Sequence, residues 1–369
     1  MKKIGITTFY KAHNYGAMLQ TFALYKKINK KNNVEILNYY DKKIYNQYRV
    51  IRFSGDNAIK FFRSLVKDII TLNIKKIKRY NNFERFIKNK LNLSKKFSSE
   101  KKLKGEKLDY NILITGSDQV WNMQITKGLS DIYTLNLGNK NIKRISYAAS
   151  VGDSSLIAKN RGQYKNKIEN IDFISVRETD AKNELNKLIK KDIEVVLDPT
   201  LLLEKSEWNN EIENIKNINQ RYILAYVVEP DEEYIKIVND LVEKTGLKVL
   251  HFGLNNPGYK NVLKSAYIEG PLEFVNYIKN AEYVVSTSFH ATVFSVIFNK
   301  KFFIVPHRKT GSRVTDLLKK LEIKNRVYYS LDEFKSIDYD LKTDWENVER
   351  ILNEEREKSI NWLENAIEG

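Results

Sequence analysis

His290 falls where a polar side chain can do chemistry. It follows a β-rich run, Tyr283–Ser286, and lies in the first turn of a pattern in which Ala291, Phe294, Ile297 and Phe298 recur at helical spacing. Thr287 and Ser288 are helix-starting residues, and Phe302–Val305 reads as the next strand, stopping at Pro306. In an open α/β sheet, ligands bind beyond the carboxyl ends of strands. The free N–H groups of a starting helix favour an anion there. A histidine at that point can help hold a phosphate or deliver a proton to it; a purely structural histidine is the alternative.

Other polar residues fall at similar places. Arg177 and Glu178 follow the strand Phe173–Val176. An arginine fork there can clamp a carboxylate or phosphate, or it can pair with Glu178 or Asp180. The turn Gly116–Asn122 follows the strand Tyr110–Thr115 and carries Asp118, Gln119 and Trp121. Trp121 could stack on a sugar face, or Asp118 could simply cap local backbone. The loop His13-Asn14-Tyr15-Gly16 follows the strand Ile4–Phe9. Asn14 and Gly16 could shape a pocket, or Gly16 could serve an ordinary turn through its backbone freedom. Arg313 opens a helical run to Leu321. Taken together, His13, Asn14, Asp118, Gln119, Arg177, His290 and Arg313 point to an enzyme acting on an anionic ligand between two domains.

Several chemistries find no support. The histidines His13, His251, His290 and His307 show no metal-binding spacing. There is no GxSxG elbow, P-loop or GxGxxG fingerprint. Cysteine is absent, which removes disulfides and thiolate chemistry.

The elements that must position these residues alternate strand and helix. Ile4–Phe9, the helix Ala17–Ile28 and Val34–Tyr39 form a βαβ unit, so a parallel sheet is expected. Residues 41–105 are rich in Lys, Arg, Phe and Ile, with amphipathic patterns near Ile59–Ile77 and Tyr80–Leu91. They read as a basic helical insertion. Strands at Lys143–Val151, Phe173–Val176 and Val195–Leu197 follow, and Asp198-Pro199-Thr200 closes the first domain. After a polar linker, Glu204–Gln220, the alternation restarts with strands Tyr222–Val228 and Leu247–Phe252. The domains expected are 1–203, 204–343, and a C-terminal helix over 344–369 that could pack back on the first domain. The fold class is α/β, with two sheets facing a cleft, the default site.

The 369 residues carry a formal charge of +17. Lysines are scattered and no nucleic-acid motif accompanies them, so solvated basic faces are favoured over nucleic acid. Weak contact with an anionic membrane stays open. No apolar run is long enough to span a bilayer, and a cytoplasmic location fits.

Eight motifs occur in one order: KIGITTFYKAHNYGAMLQ within Met1–Gln20, then ITGSDQVWN, SYAASVG, SVRE, LDPT, GPLEF, STSFH and SRVTDLL, the last ending at Leu318. In this the chain resembles the polysaccharide pyruvyl transferase family. The resemblance implies a glycosyltransferase-B-like fold of two Rossmann-like domains. It implies transfer of a pyruvyl group from phosphoenolpyruvate, a co-substrate, to a sugar of a surface polysaccharide or its lipid-linked precursor. The product is a cyclic pyruvate ketal and phosphate is released, with no cofactor or metal. Action at the inner face of the membrane fits that acceptor. Glycosyl transfer from a nucleotide-sugar on the same fold is the alternative. By position, His290 matches the family's donor-phosphate contact or general acid, and Arg177 a donor-binding arginine. Arg313 is a second donor-binding candidate. His13, Asn14, Gly16, Asp118, Gln119 and Trp121 are left for the acceptor or the cleft wall. Some similar transferases carry Arg-Leu-His where this chain has Ser288-Phe289-His290. Ser288 therefore stands at a donor-binding position without the arginine, and Arg313, Arg308 or Lys309 would have to supply the charge.

Overall fold

A computed structural model of the chain describes residues 1–45, 74–227, 230–306, 312–340 and 342–369. Short Ile-, Val- and Leu-rich runs become the strands of two wholly parallel sheets. The first takes β1 (Lys3–Thr7), β2 (Asn33–Ile36), β3 (Ile112–Thr115), β4 (Lys143–Ala149), β5 (Phe173–Val176) and β6 (Ile193–Val195), in the order β2-β1-β3-β4-β5-β6. The second takes β7 (Tyr222–Tyr226), β8 (Lys248–His251), β9 (Val262–Ser265), β10 (Tyr283–Ser286) and β11 (Lys301–Ile304), in the order β11-β10-β7-β8-β9. Central strands such as β3, β7 and β10 are buried along their whole length. That burial explains why they read as unbroken apolar runs rather than alternating ones.

The helices of eight or more described residues are α1 (Tyr15–Asn29), α2 (Ile74–Lys90), α3 (Arg161–Ile168), α4 (Thr179–Asn186), α5 (Lys205–Ile212), α6 (Glu232–Thr245), α7 (Pro271–Asn280), α8 (Phe289–Ile297), α9 (Ser312–Lys320) and α10 (Trp345–Glu368). Two of these elements depart from expectation. The supposed linker after Leu203 begins with α5, started by a capping box between Glu204 and Glu207. It buries Trp208, whose indole N–H donates to Thr200 O at 3.1 Å. The edge strand β9 is the other; its run VLKS is too short and half-exposed to announce itself. In the basic insertion, α2 contains most of the pattern expected over Tyr80–Leu91, whereas most of Ile59–Ile77 lies outside the described residues.

α10 returns across the first sheet. Ser359 Oγ accepts from Leu197 N at 3.0 Å, Arg356 Nε donates to Leu201 O at 2.8 Å, and Trp362 lies against Tyr147.

The two halves share apolar surface. Tyr15 of α1 stacks on Phe274 of α7 with centroids 4.7 Å apart and planes 6° from parallel, and Phe22 of α1 packs on Trp208 of α5 at 5.9 Å. Arg79 of α2 fastens this seam. Its guanidinium lies over Tyr15, Phe83 and Tyr267, and it donates to the Tyr15 hydroxyl, to Tyr267 O at 2.9 Å and to His13 O at 3.2 Å. The loop carrying Gly16 is thereby fixed against the second half. Arg79→Ala leaves two part-buried carbonyls without these donors. It is expected to cost about 1–3 kcal/mol, measured by equilibrium urea unfolding.

Candidate active site

The segments that follow β5, β6 and β10 line one cleft of about 540 Å³. At its floor is a side chain that sequence reasoning took only as the end of a domain. Asp198, fully buried, accepts from Arg177 Nη1 at 2.7 Å and from Ser117 Oγ at 3.1 Å on one oxygen. Its other oxygen accepts from Thr200 N at 3.0 Å and Thr200 Oγ at 2.6 Å. His290 Nε2 stands 3.6 Å from the first oxygen, an ion-pair distance when the imidazole is protonated. Burial works against ionisation here. The charges of His290 and Arg177 and the hydrogen bonds of Arg177 and Thr200 outweigh it and hold the carboxyl well below the usual carboxylate range. The clue in the sequence is Asp-Pro-Thr at a strand's end, a turn-capping signal whose carboxylate must also face the cleft.

His290 lies in the first turn of α8, as its spacing predicts. Its ring is pinned from the first half of the molecule by Gly16, where any Cβ would overlap Nδ1. Close approach, not backbone freedom, is thus what requires the glycine. Arg177, fully enclosed, rests its guanidinium 4.8 Å above the Phe289 ring. Burial opposes its charge, but Glu178, Asp198 and Asp118 more than offset that and raise its pKa. Arg313 lines the same cleft from α9. Burial and then the like charge of Arg177 lower its pKa, so an anion between the two arginines would relieve both. Buried polar atoms without a hydrogen-bond partner among the described residues gather here: Arg177 Nε and Nη2, Arg313 Nε and His290 Nε2. Unpaired buried donors are costly, so their convergence marks a site made for a ligand's oxygens.

Asp118 faces the same charges from a turn with φ of 79°, and its carboxylate accepts from Gln119 N at 2.8 Å. Ser288 is the N-cap of α8, its hydroxyl accepting from Ala291 N at 3.5 Å. Asn14 does the same for α1 at Ala17 N, at 3.2 Å. The remaining candidates turn away from the cleft. His13 is buried against Tyr80 and Phe83 and meets Glu84 Oε1 at 2.9 Å, held in the α2 seam. Trp121 is fully buried and donates to Tyr133 O at 2.9 Å, so its ring cannot stack on a sugar. Gln119 accepts from Asn122 Nδ2 at 2.7 Å inside its own turn. Arg308, Lys309 and His307 lie outside the described residues. Among the described residues no three His, Asp or Glu side chains are placed to hold a metal ion.

The sequence model of the family named Polysaccharide pyruvyl transferase matches residues 14–309, well over half of the chain. The chain belongs to the polysaccharide pyruvyl transferase family. It is therefore a transferase, with a polysaccharide acceptor. No curated protein matches it in sequence. In fold this transferase is similar to UDP-N-acetylglucosamine 2-epimerase from Rickettsia bellii, at 11% identity and a TM-score of 0.50, covering 99% of this chain and 96% of that one. UDP-GlcNAc 2-epimerase from Neisseria meningitidis, bound to UDP-GlcNAc, aligns at 11% identity and 0.48 over 97% and 100% of the two chains. The glycosyltransferase SnogD from Streptomyces nogalater aligns at 10% and 0.43 over 99% of each. The fold is glycosyltransferase-B-like, two Rossmann-like halves about a cleft.

Two tests follow from this geometry. Gly16→Ala must push the His290 ring aside. It is expected to cost about 1–3 kcal/mol in urea unfolding and to slow pyruvyl transfer by ~100-fold. Asp198 has its pKa lowered on folding, so ionised it stabilises the transferase above the unfolded value of about 3.9. That contribution is lost as pH falls through the folded value. Asp198→Asn should therefore lower stability at neutral pH and show a shallower acid decline in thermal melts.

Proposed function

We propose that this transferase moves the pyruvyl group of phosphoenolpyruvate onto two hydroxyls of one sugar, forming a cyclic ketal and releasing phosphate. The observation that carries the reading is the convergence of unpaired Arg177, Arg313 and His290 nitrogens at the start of α8. Phosphoenolpyruvate has a carboxylate and a phosphate close together. Two arginines and a helix N-terminus suit that pattern of charge. Protonation of the enol methylene makes the neighbouring carbon electrophilic. A sugar hydroxyl adds to it, phosphate departs, and a second hydroxyl closes the ring. His290 is the proton source, and the arginines hold the charge that grows on the leaving phosphate. Arg313 supplies the cation that Ser288 does not. The donor itself carries the activated group, so the scheme needs no cofactor.

The acceptor is a sugar of a surface polysaccharide or of its lipid-linked precursor, met at the cytoplasmic face of the membrane. No helix among the described residues is long and apolar enough to cross a bilayer, and the net charge of +17 would favour contact with an anionic surface.

The test is incubation of purified protein with phosphoenolpyruvate and a panel of glycans. Phosphate release and a mass gain on the sugar are expected together. His290→Ala should lower both by ~100-fold or more. A thermal shift with nucleotide-sugars and none with phosphoenolpyruvate would overturn the assignment.

A further inference from the structure

Beside the arginine-walled cleft lies a second, smaller space of about 100 Å³ with the opposite character. Glu178, Asp153, Asp180 and Asp316 wall it, and Asp180 and Asp316 line both spaces, so the two adjoin. Four carboxylates in one small pocket are out of keeping with a chain of net charge +17. Burial, then Asp180 and Glu178, raise the Asp316 pKa, which is the cost of gathering them.

Glu178 stands out among the four. It is only 7% exposed, and it follows Arg177 directly in the chain. Its Oε1 accepts from Ser150 Oγ and lies 3.5 Å from Arg177 Nε. Its Oε2 has no partner among the described residues. The carboxylate is therefore oriented through one oxygen and left with the other free, next to the guanidinium that faces the donor. A donor with a carboxylate and a phosphate is repelled by this pocket. A sugar's hydroxyls are drawn to it, because carboxylates accept hydrogen bonds from them.

We propose that the carboxylate pocket receives the acceptor's paired hydroxyls and that Glu178 Oε2 is the base for the attacking one. The inference rests on the pyruvyl-transfer reading above. The attacking hydroxyl oxygen bonds to C2 of the enolpyruvyl group, and its proton passes to Glu178. The methylene C3 takes a proton from His290 and becomes a methyl group. The second hydroxyl then bonds to C2 as the bond from C2 to the phosphate oxygen breaks, and its proton leaves with the phosphate. Glu178 afterwards returns its proton to solvent and His290 regains one. Nothing is oxidised or reduced.

The experiment uses Glu178→Gln in the full-length protein, with phosphoenolpyruvate and a glycan that the wild type converts. The amide keeps the shape but is no base. A fall in kcat of ~100-fold or more is expected, with KM for phosphoenolpyruvate within about twofold. An unaltered kcat would overturn the proposal. So would a matching loss of phosphoenolpyruvate binding, which would make Glu178 only a support for Arg177. Should Glu178→Gln fail to fold, Asp180→Asn decides. A raised KM for the glycan alone supports the pocket, and unchanged kinetics refute it. If the wild type converts no glycan at all, the pyruvyl-transfer reading itself has failed, an outcome distinct from any of these.

Discussion

A carboxylate withdrawn wholly from water is tolerable only when cations and donors surround it, and Asp198 organises the cleft on that condition. It draws Arg177 from the end of β5 and faces His290 from the start of α8. These groups come from both halves of the molecule. The ion cluster and the apolar seam of Tyr15, Phe274, Phe22 and Trp208 therefore work in the same direction. The seam brings the halves together without specifying atoms, and the buried charges require a particular register. Gly16 adds a steric limit, since the ring of His290 fits only where no side chain stands.

Much of this was legible in the sequence. Fully buried parallel strands are continuous apolar runs, and a polar residue just past such a run must sit at the carboxyl edge of the sheet. His290, Arg177 and Arg313 were found in that way. The same logic cannot tell whether a side chain beyond a strand turns into the cleft or back into the protein. Trp121 and His13 occupy equivalent positions and turn inward, because Tyr133 O, 12 residues on, and Glu84, 71 residues on, offer them partners. Asp198 was passed over for a related reason. It stood as the end of a domain, and nothing near it in the chain marked a partner. Gly16 was noticed, but the ring that excludes its side chain is supplied by a residue 274 positions later. The helix Lys205–Ile212 was hidden by its polar face, since Trp208 and Ile212 are its only buried residues.

The division of charge within the cleft runs against the character of the whole chain. Lysines on the outside give the protein a broadly positive field, yet the cleft sets arginines at one end and carboxylates at the other. Such a gradient draws an anionic molecule toward the arginine end before it makes a specific contact.

The return of α10 across the first sheet has a mechanical consequence. The polypeptide passes from the first half to the second after Leu203 and comes back at Trp345, so two spans of chain bridge the halves. A body attached by one thread can swivel about any direction; attached by two, it bends easily only about the line through both attachments. Any opening of the cleft about these two spans would be a motion like that of a book on its spine, and each closure would restore the same alignment of the two facing pages.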